Sequence, residues 1–208
     1  AEEVSLEDEI SRIRPVIEAL SSEFPNAVLS VDTFRTEVAQ IALNSGAHMI
    51  NDISGGQLDE NMFDLVAEWG CPYILMHMKG KPQTMMQMTT YDDLLKEVVI
   101  YFSERINQLR NKGVKDIILD PGFGFSKNID QNYYLLKNLK YLKVLGLPIL
   151  TGISRKSMIY KKLGITSHEA LNGTTALNSF ALMNGASILR VHDVKEAVET
   201  VKIYKEIH

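Results

Sequence analysis

The chain has 208 residues, 45% hydrophobic and 23% charged, which is the composition of an ordinary globular protein. Its formal net charge of -4 argues against nucleic acid or an anionic membrane as a partner, and no apolar run is long enough to predict a membrane span. The single cysteine, Cys71, excludes an internal disulfide and a cysteine-built zinc site, so a reducing, cytoplasmic location is expected. Its position before Pro72 favours a small buried side chain.

The first predicted element is a helix that begins after Ser5 and ends near Phe24. Ser5, with Asp8 three residues later, matches the capping box of a helix N-terminus. Beyond it, six short and nearly continuous apolar runs predict parallel strands that are buried on both faces. These runs are AVLSVD (27–32), HMINDI (48–53), YILMHM (73–78), IILDPG (117–122), PILTGIS (148–154) and ILRVHD (188–193).

Stretches with the apolar spacing of helices separate these strands. They cover residues 35–46, 60–70, 91–113 and 194–207, and a further helix is expected to begin near Lys156. Strands that alternate with helices predict a parallel α/β fold. Because no linker-like segment interrupts the alternation, residues 1–208 are predicted to form a single domain.

Polar side chains follow nearly every predicted strand. In an open sheet only the strands at the switch point would carry them, whereas in a (β/α)₈ barrel all the C-terminal strand ends meet at one mouth. The predicted fold is therefore a TIM-type (β/α)₈ barrel with about six of its eight βα units in this chain. The residues concerned are Asp32, Asn51, Asp52, His77, Asp120, Ser154, Arg190, His192 and Asp193.

Some of these side chains also have a simpler structural interpretation. Asp32 fits the N-cap of the helix that starts near Arg35. Asn51 and Asp52 fit the chemistry of a turn, and His77 between two methionines fits a hydrogen-bonded core histidine.

Two segments after the last two strands point more firmly to an anion. SRKS (154–157) brings two cations and two hydroxyls to the start of a helix, whose N–H groups attract anions. RVHD (190–193) adds Arg190 and His192 at the next strand end. Since the loops after the last two barrel strands commonly bind phosphate, we expect a phosphate or diphosphate here. Solvated surface charge is the alternative.

The segment LDPGFGFSKN (119–128) places a carboxylate at a strand end, followed by a pliant loop with two phenylalanines. Carboxylate and amide groups among apolar strands suit a flat heterocycle with several N–H donors. A metal site is the competing interpretation of the carboxylates, but no His-x-x-x-His or Glu-x-x-His spacing supports it. The residues expected around the ring are Asp32, Asn51, Met76, Asp120, Phe125 and Lys156.

Taken together, these motifs resemble those of the dihydropteroate synthase family. The resemblance runs from Ala1 to His208 and includes the order and approximate spacing of SVDT, INDISGG, LMHMKGKPQTM, LDPGFGFSKN, GISRKSMI and RVHDV. It implies a TIM barrel that joins 6-hydroxymethyl-7,8-dihydropterin diphosphate to p-aminobenzoate. The products are 7,8-dihydropteroate, used in folate biosynthesis, and diphosphate. It also implies a target of sulfonamides.

The resemblance further implies a role for each matching residue. Pterin-binding residues would be Asp32, Asn51, Met76, Asp120, Phe125, Gly152 and Lys156. Ser154, Arg190 and His192 would bind the diphosphate, and Lys156 and Ser157 would border p-aminobenzoate. Lys156, Arg190 and His192 are the implied catalytic residues. Mg²⁺ is the implied cofactor, without an evident ligand in this chain, and a homodimer through helices near the C-terminus is expected.

The implied reaction is a dissociative, SN1-like substitution in which diphosphate leaves before the aromatic amine attacks. The family also carries two further N-terminal strands, with NVTPDSF-type and GGESTRPG-type motifs that this sequence lacks. The chain is therefore predicted to hold the pterin pocket without its first two strands, and pterin binding without turnover stays open.

Three alternatives follow from the same residues. A methyltransferase acting between methyltetrahydrofolate and a corrinoid protein would share the Asp and Asn contacts to a pterin, but it would not need SRKS or RVHD. A Schiff-base aldolase would use Lys156, although such a lysine usually lies within a strand. A pterin-binding module without activity would share the binding residues and differ only in turnover.

Overall fold

A computed structural model describes residues 4–207. Helices alternate with short strands along these residues, as predicted. The helices are α1 Leu6–Glu23, α2 Thr36–Asn44, α3 Met62–Trp69, α4 Leu94–Asn111, α5 Ile129–Lys137, α6 Ser157–Leu163, α7 Leu171–Met183 and α8 Val194–Ile207. The strands are β1 Ser30–Asp32, β2 Met49–Asp52, β3 Tyr73–Met76, β4 Ile117–Asp120, β5 Leu150–Thr151 and β6 Ile188–Leu189. Short 3₁₀ helices cover Met85–Gln87 and Leu139–Leu145.

The chain divides into two compact units. The first comprises Ala1–Met76 with Glu104–Ile118, and the second comprises His77–Ser103 with Leu119–His208. The single domain expected over residues 1–208 stays a prediction.

The first unit is built on parallel strands in the order β1-β2-β3. The register pairs Asp32 with Asn51 at the C-terminal ends of β1 and β2, so the two polar side chains follow the sheet side by side. β4 begins next to β3, where the Tyr73 N–H donates to the Asp116 carbonyl at 2.9 Å. The apolar core of the first unit includes Val31, Val38, Ala39, Ile50, Met62, Val66 and Tyr73.

Side chains cap the N-termini of α1 and α2 in the first unit. The Ser5 hydroxyl accepts a hydrogen bond from the Asp8 N–H at 3.1 Å, which confirms the predicted start of α1. The interpretation of Asp32 as the N-cap of α2 is wrong. Arg35 takes that position, and the Asp59 carboxylate accepts the Thr36 N–H at 2.7 Å, so a neighbouring segment supplies the cap.

The second unit contains the end of β4 together with β5 and β6. Leu119 pairs in parallel with Ile149, and Leu150 with Ile188. Because parallel strands end at the same edge of a sheet, the residues after β4, β5 and β6 meet there. Its core includes Phe102, Leu119, Phe123, Leu135, Ile149, Ile153 and Ile159.

All six predicted strands and every predicted helix are confirmed, although the strands are shorter than the apolar runs. Two helices, α5 and α7, were not predicted. Cys71 is a free, buried cysteine, as expected. Within residues 4–207, no helix has the length and apolar character needed to cross a membrane.

Candidate active site

In the first unit, Asp32 and Asn51 form a hydrogen-bonded pair. The Asn51 amide donates to the Asp32 carboxylate at 2.7 Å. Asn51 is only 3% exposed, and its side-chain oxygen finds no hydrogen-bond donor among the residues that the structure describes. A buried acceptor without a donor is costly, so this oxygen is suited to an N–H group of a ligand.

Asp52, by contrast, has the structural role that a turn predicts. Its carboxylate accepts the N–H and the hydroxyl of Ser54, both at 2.7 Å, and the Gly56 N–H at 2.8 Å. The Tyr73 hydroxyl adds a fourth donor at 2.7 Å. The turn interpretation is therefore confirmed for Asp52 and not for Asn51. Met76, the last residue of β3, is buried.

In the second unit, Asp120 ends β4 with its side chain buried. One carboxylate oxygen accepts the Gly122 N–H at 2.8 Å. Burial raises the pKa of Asp120, while Lys156, the Gly122 N–H, Lys127 and Arg190 act in the opposite direction. The site thus combines a desolvated carboxylate with several cations, an arrangement typical of functional sites.

Lys156 lies near Asp120 and contacts the phenylalanine loop, which is residues 121–126. Its ammonium group donates to the Phe123 carbonyl and stands 4.8 Å from the centroid of the half-buried Phe125 ring. Burial lowers the pKa of Lys156 to about 8, with Asp120 opposing and Arg190 adding to that effect. Gly124 permits this approach, because a Cβ at its position would come 3.2 Å from the Lys156 side chain.

The residues after β5 and β6 line one cleft of about 180 Å³. The Ser154 hydroxyl lies 2.9 Å from the ring nitrogen Nδ1 of His192. The main-chain N–H of His192 also donates to this hydroxyl, at 3.3 Å. The residues lining the cleft are Gly152, Ser154, Lys156, Arg190, Val191 and His192. The structure therefore brings together Ser154, Lys156, Arg190 and His192. Two residues of SRKS do not line the cleft: Arg155, its other cation, and Ser157, which is the first residue of α6.

Sequence reasoning missed an ion pair that joins these two loops. The Arg155 guanidinium donates to both carboxylate oxygens of Asp193, at 2.9 and 2.6 Å. It also donates to the carbonyls of Ser167 and His168. The pairing raises the pKa of Arg155 and lowers that of Asp193. The sequence shows that Arg155 and Asp193 are charged, but it does not show that their side chains face each other.

A second missed residue is Lys127, which is 2% exposed. Its ammonium group lies 3.0 Å from Nδ1 of His77 and donates to backbone carbonyls of the phenylalanine loop. His77 is buried, and this contact confirms the interpretation of a hydrogen-bonded core histidine. No periodicity distinguishes Lys127 from a solvated loop lysine.

Within residues 4–207, no group of three or more His, Cys, Asp or Glu side chains lies close enough to hold a metal ion.

Known proteins resemble this chain over nearly its whole length. Residues 1–192 match the family described as pterin binding enzyme. Dihydropteroate synthase of Escherichia coli K12 is 44% identical over 205 residues, which are 98% of this chain and 72% of that protein.

Solved structures resemble the chain equally well. Yersinia pestis dihydropteroate synthase, in a sulfonamide drug complex, matches with a TM-score of 0.95 at 40% identity, covering 99% of this chain and 75% of that one. The Thermus thermophilus enzyme, in complex with 4-aminobenzoate, matches with a TM-score of 0.93 at 38% identity, covering 99% and 79%.

These similarities confirm the predicted fold class, and they agree with a site that gathers a buried carboxylate, a lysine and a cleft lined by Arg190 and His192 at the strand ends. The chain belongs to the pterin binding enzyme family and, within it, to the dihydropteroate synthases.

Proposed function

We propose that the chain binds 6-hydroxymethyl-7,8-dihydropterin diphosphate and joins its methylene carbon to p-aminobenzoate. The observation that carries this proposal is the buried Asp120 carboxylate beside Lys156 and Arg190, next to the cleft lined by Ser154 and His192. The related enzymes support the choice of substrates, since one is bound to 4-aminobenzoate and another to a sulfonamide drug.

Asp120 would recognise the pterin. The guanidine-like edge of a pterin presents two N–H donors, and a carboxylate can accept both of them. Lys156 and the Phe125 ring border the same carboxylate and would contact the ring system. Gly152 would leave space for it, since a Cβ there meets nothing closer than Arg190 at 3.8 Å. The assignment of Asp32, Asn51 and Met76 to the pterin stays a prediction.

The cleft would receive the diphosphate. Arg190 and His192 offer N–H donors at its rim, and the buried Ser154 hydroxyl fixes the His192 ring. An anion in this position would be stabilised by groups that are already in place, which is the arrangement that favours charge development in a transition state. Lys156 and Ser157, at the start of α6, would border p-aminobenzoate.

The proposed mechanism follows from these charges. Cleavage of the C–O bond leaves negative charge on the diphosphate and positive charge on the pterin methylene. Arg190 and His192 would stabilise the first, and the Asp120 carboxylate would stabilise the second through the electron-rich ring. The aromatic amine then forms the new C–N bond and loses its proton, so a dissociative substitution is expected.

The finer expectations from the family stay predictions. A protein-built Mg²⁺ site does not fit the described residues, which contain no suitable cluster, so no step is assigned to the ion. A homodimer is proposed through α7 and α8, whose exposed apolar side chains include Phe180, Met183, Ile203 and Ile207. A cytoplasmic location is proposed from the cysteine content alone.

Calorimetric titration with the pterin diphosphate tests the proposal. We expect Asp120→Asn to weaken binding by on the order of 10- to 100-fold, because a charge-assisted pair of hydrogen bonds is lost. Asp116→Asn is the matched control: it removes a carboxylate from an exposed residue just before the same strand and should bind like the wild type. A folded wild-type chain that does not bind the pterin diphosphate would overturn the proposal.

The same titration distinguishes the methyltransferase alternative. The pterin alcohol, which lacks the diphosphate, should bind clearly more weakly than the diphosphate ester if the cleft contributes to recognition. Equal affinities for the two compounds would favour a pterin site without diphosphate recognition.

A further inference from the structure

Lys127 is a buried cation that the proposed mechanism does not use. Lysine is almost never fully buried unless its charge is compensated, because removing an ammonium group from water is costly. Here the side chain is 2% exposed. Its ammonium group has three close acceptors: Nδ1 of His77 at 3.0 Å, the Phe125 carbonyl at 3.0 Å and the Gly122 carbonyl at 3.1 Å.

A fourth and longer contact, at 3.4 Å, is to the His77 carbonyl, so the three N–H donors of the ammonium group are fully hydrogen-bonded. The acceptors belong to different parts of the unit. Gly122 and Phe125 belong to the loop that follows Asp120, whereas His77 follows β3. Lys127 therefore ties the phenylalanine loop to a residue outside it.

Within the loop, the Phe125 N–H donates to the Gly122 carbonyl at 3.1 Å. Gly122, Gly124 and Ser126 have φ values of 70°, 81° and 46°, in the left-handed region. A Cβ at Gly122 would come 2.1 Å from the His77 carbonyl, which shows how closely the loop passes this residue. Asn132 accepts the Gly124 N–H at 2.7 Å and so holds the middle of the loop from the other side.

The protonation states of His77 and Lys127 are consistent with the Lys127 ammonium group as the donor to His77. Burial lowers the pKa of His77 well below its usual value, and Lys127 and Lys79 add to this, so the ring is neutral and can accept at Nδ1. Burial also lowers the pKa of Lys127 to about 7, against the opposing charge of Asp120. In return, the charge of Lys127 favours the ionised form of Asp120.

We propose that Lys127 is a positioning residue for the pterin: its ammonium group fixes the loop of residues 121–126, and through it the placement of the Asp120 carboxylate and the Phe125 ring. This inference rests on the proposed function, in which both groups contact the pterin. It separates Lys127 from the diphosphate cleft, because the residues lining that cleft do not include it.

The test compares Lys127→Met and Lys127→Gln with the wild type at about pH 6, where Lys127 carries its proton. Met removes all three donors at similar length, whereas Gln keeps two. Lys79→Met is the matched control, because the Lys79 ammonium group pairs with Glu97 and the Thr90 carbonyl instead of the loop. Each protein is titrated with the pterin diphosphate and, separately, with inorganic diphosphate, and its thermal unfolding is recorded.

We expect Lys127→Met to weaken pterin diphosphate binding by on the order of 10-fold or more, with inorganic diphosphate affinity unchanged. Lys127→Gln should lie between this variant and the wild type, and Lys79→Met should match the wild type. If Lys127→Met does not fold, Lys127→Gln decides, with the same selective loss supporting the inference.

Two results would overturn the inference. One is wild-type affinity for the pterin diphosphate in a folded Lys127 variant. The other is an equal loss of both ligands, which would indicate general destabilisation. Failure of the wild type itself to bind the pterin diphosphate would instead contradict the proposed function, so the two failures are distinguishable.

Discussion

Two opposing effects act on the pKa of the buried Asp120. Its burial disfavours the carboxylate, while the cations Lys156, Lys127 and Arg190 and the Gly122 N–H favour it. A pterin with N–H donors on one edge would add further hydrogen bonds to the charged form and would replace the water that burial removes. A ligand with such donors would therefore stabilise the ionised form of the buried carboxylate.

Gly122 offers a residue-level test of how the loop is held. With φ at 70° and the His77 carbonyl 2.1 Å from an added Cβ, Gly122→Ala should combine backbone strain with a collision against the main chain. Gly164, with φ at 68° and nothing within 4 Å of an added Cβ, separates the two effects. Gly164→Ala should lower the free energy of unfolding by about 1 to 2 kcal/mol, the cost of the left-handed conformation alone.

Gly122→Ala should lower the free energy of unfolding clearly more than this, as measured by urea denaturation of both variants. Equal losses would mean that the loop moves away from His77 without cost. In that case the close approach of loop and carbonyl would not be a constraint on the site.

At the scale of elements, the Arg155–Asp193 ion pair connects the loop after β5 to the loop after β6. Arg155 has φ at 54°, a conformation that residues with side chains rarely adopt, so the surrounding contacts must hold it. Its guanidinium also reaches the carbonyls of Ser167 and His168, before α7. The pair thus fixes the backbone that carries Lys156 and His192.

The direction in which Asp193→Asn changes the affinity for diphosphate tests whether the ion pair positions these loops. Removing a negative charge near an anion site should strengthen diphosphate binding if only the net charge mattered. We expect instead a several-fold loss of inorganic diphosphate affinity, because the loop that carries His192 loses its bidentate partner. Calorimetric titration at low ionic strength measures the change.

Glu199→Gln is the control, since it removes an exposed carboxylate from α8 and should leave the affinity unchanged or slightly higher. Tighter binding by Asp193→Asn would show that the ion pair does not position the cleft.

Most elements with a continuous apolar run or a clear helical spacing of apolar residues were predictable. The six strands stand out because each is a short, continuous apolar run. α5 was not predicted although it has a cap signal, since Asn128 and Gln131 form a capping box. α7 contains Gly173 and buried polar residues, and its Gly173 is needed for packing, because a Cβ there would come 2.5 Å from Ile159. Such tertiary reasons leave no periodic pattern.

At the scale of the whole molecule, the fold also explains which site residues could be predicted. Parallel strands end at one edge of a sheet, so polar residues after apolar runs are expected to approach each other, as Asp32 with Asn51 and Ser154 with His192 do. Lys127 escaped prediction because its partners are main-chain carbonyls and a core histidine, and backbone acceptors carry no sequence signal.

Lys127 also affects the stability of the whole protein. Its pKa is about 7 in the folded chain, against 10.5 as the ordinary value of the group. Between these values the unfolded chain binds more protons than the folded one, so the free energy of unfolding rises with pH across this window. The penalty of the buried charge is fully present below about pH 7 and is relieved as the proton leaves.

Urea unfolding of the wild type and Lys127→Met at about pH 7 and about pH 9 isolates this contribution, because the other titrating groups are common to both proteins. Over that interval the free energy of unfolding of the wild type should rise by about 2 kcal/mol relative to the variant. The reason is that the unfolded wild type binds about one proton more than the folded wild type. Lys79→Met, which removes a more exposed lysine, should follow the wild type. A parallel pH dependence of the wild type and Lys127→Met would show that Lys127 keeps an ordinary pKa despite its burial, and that its three hydrogen bonds fully replace the water it has lost.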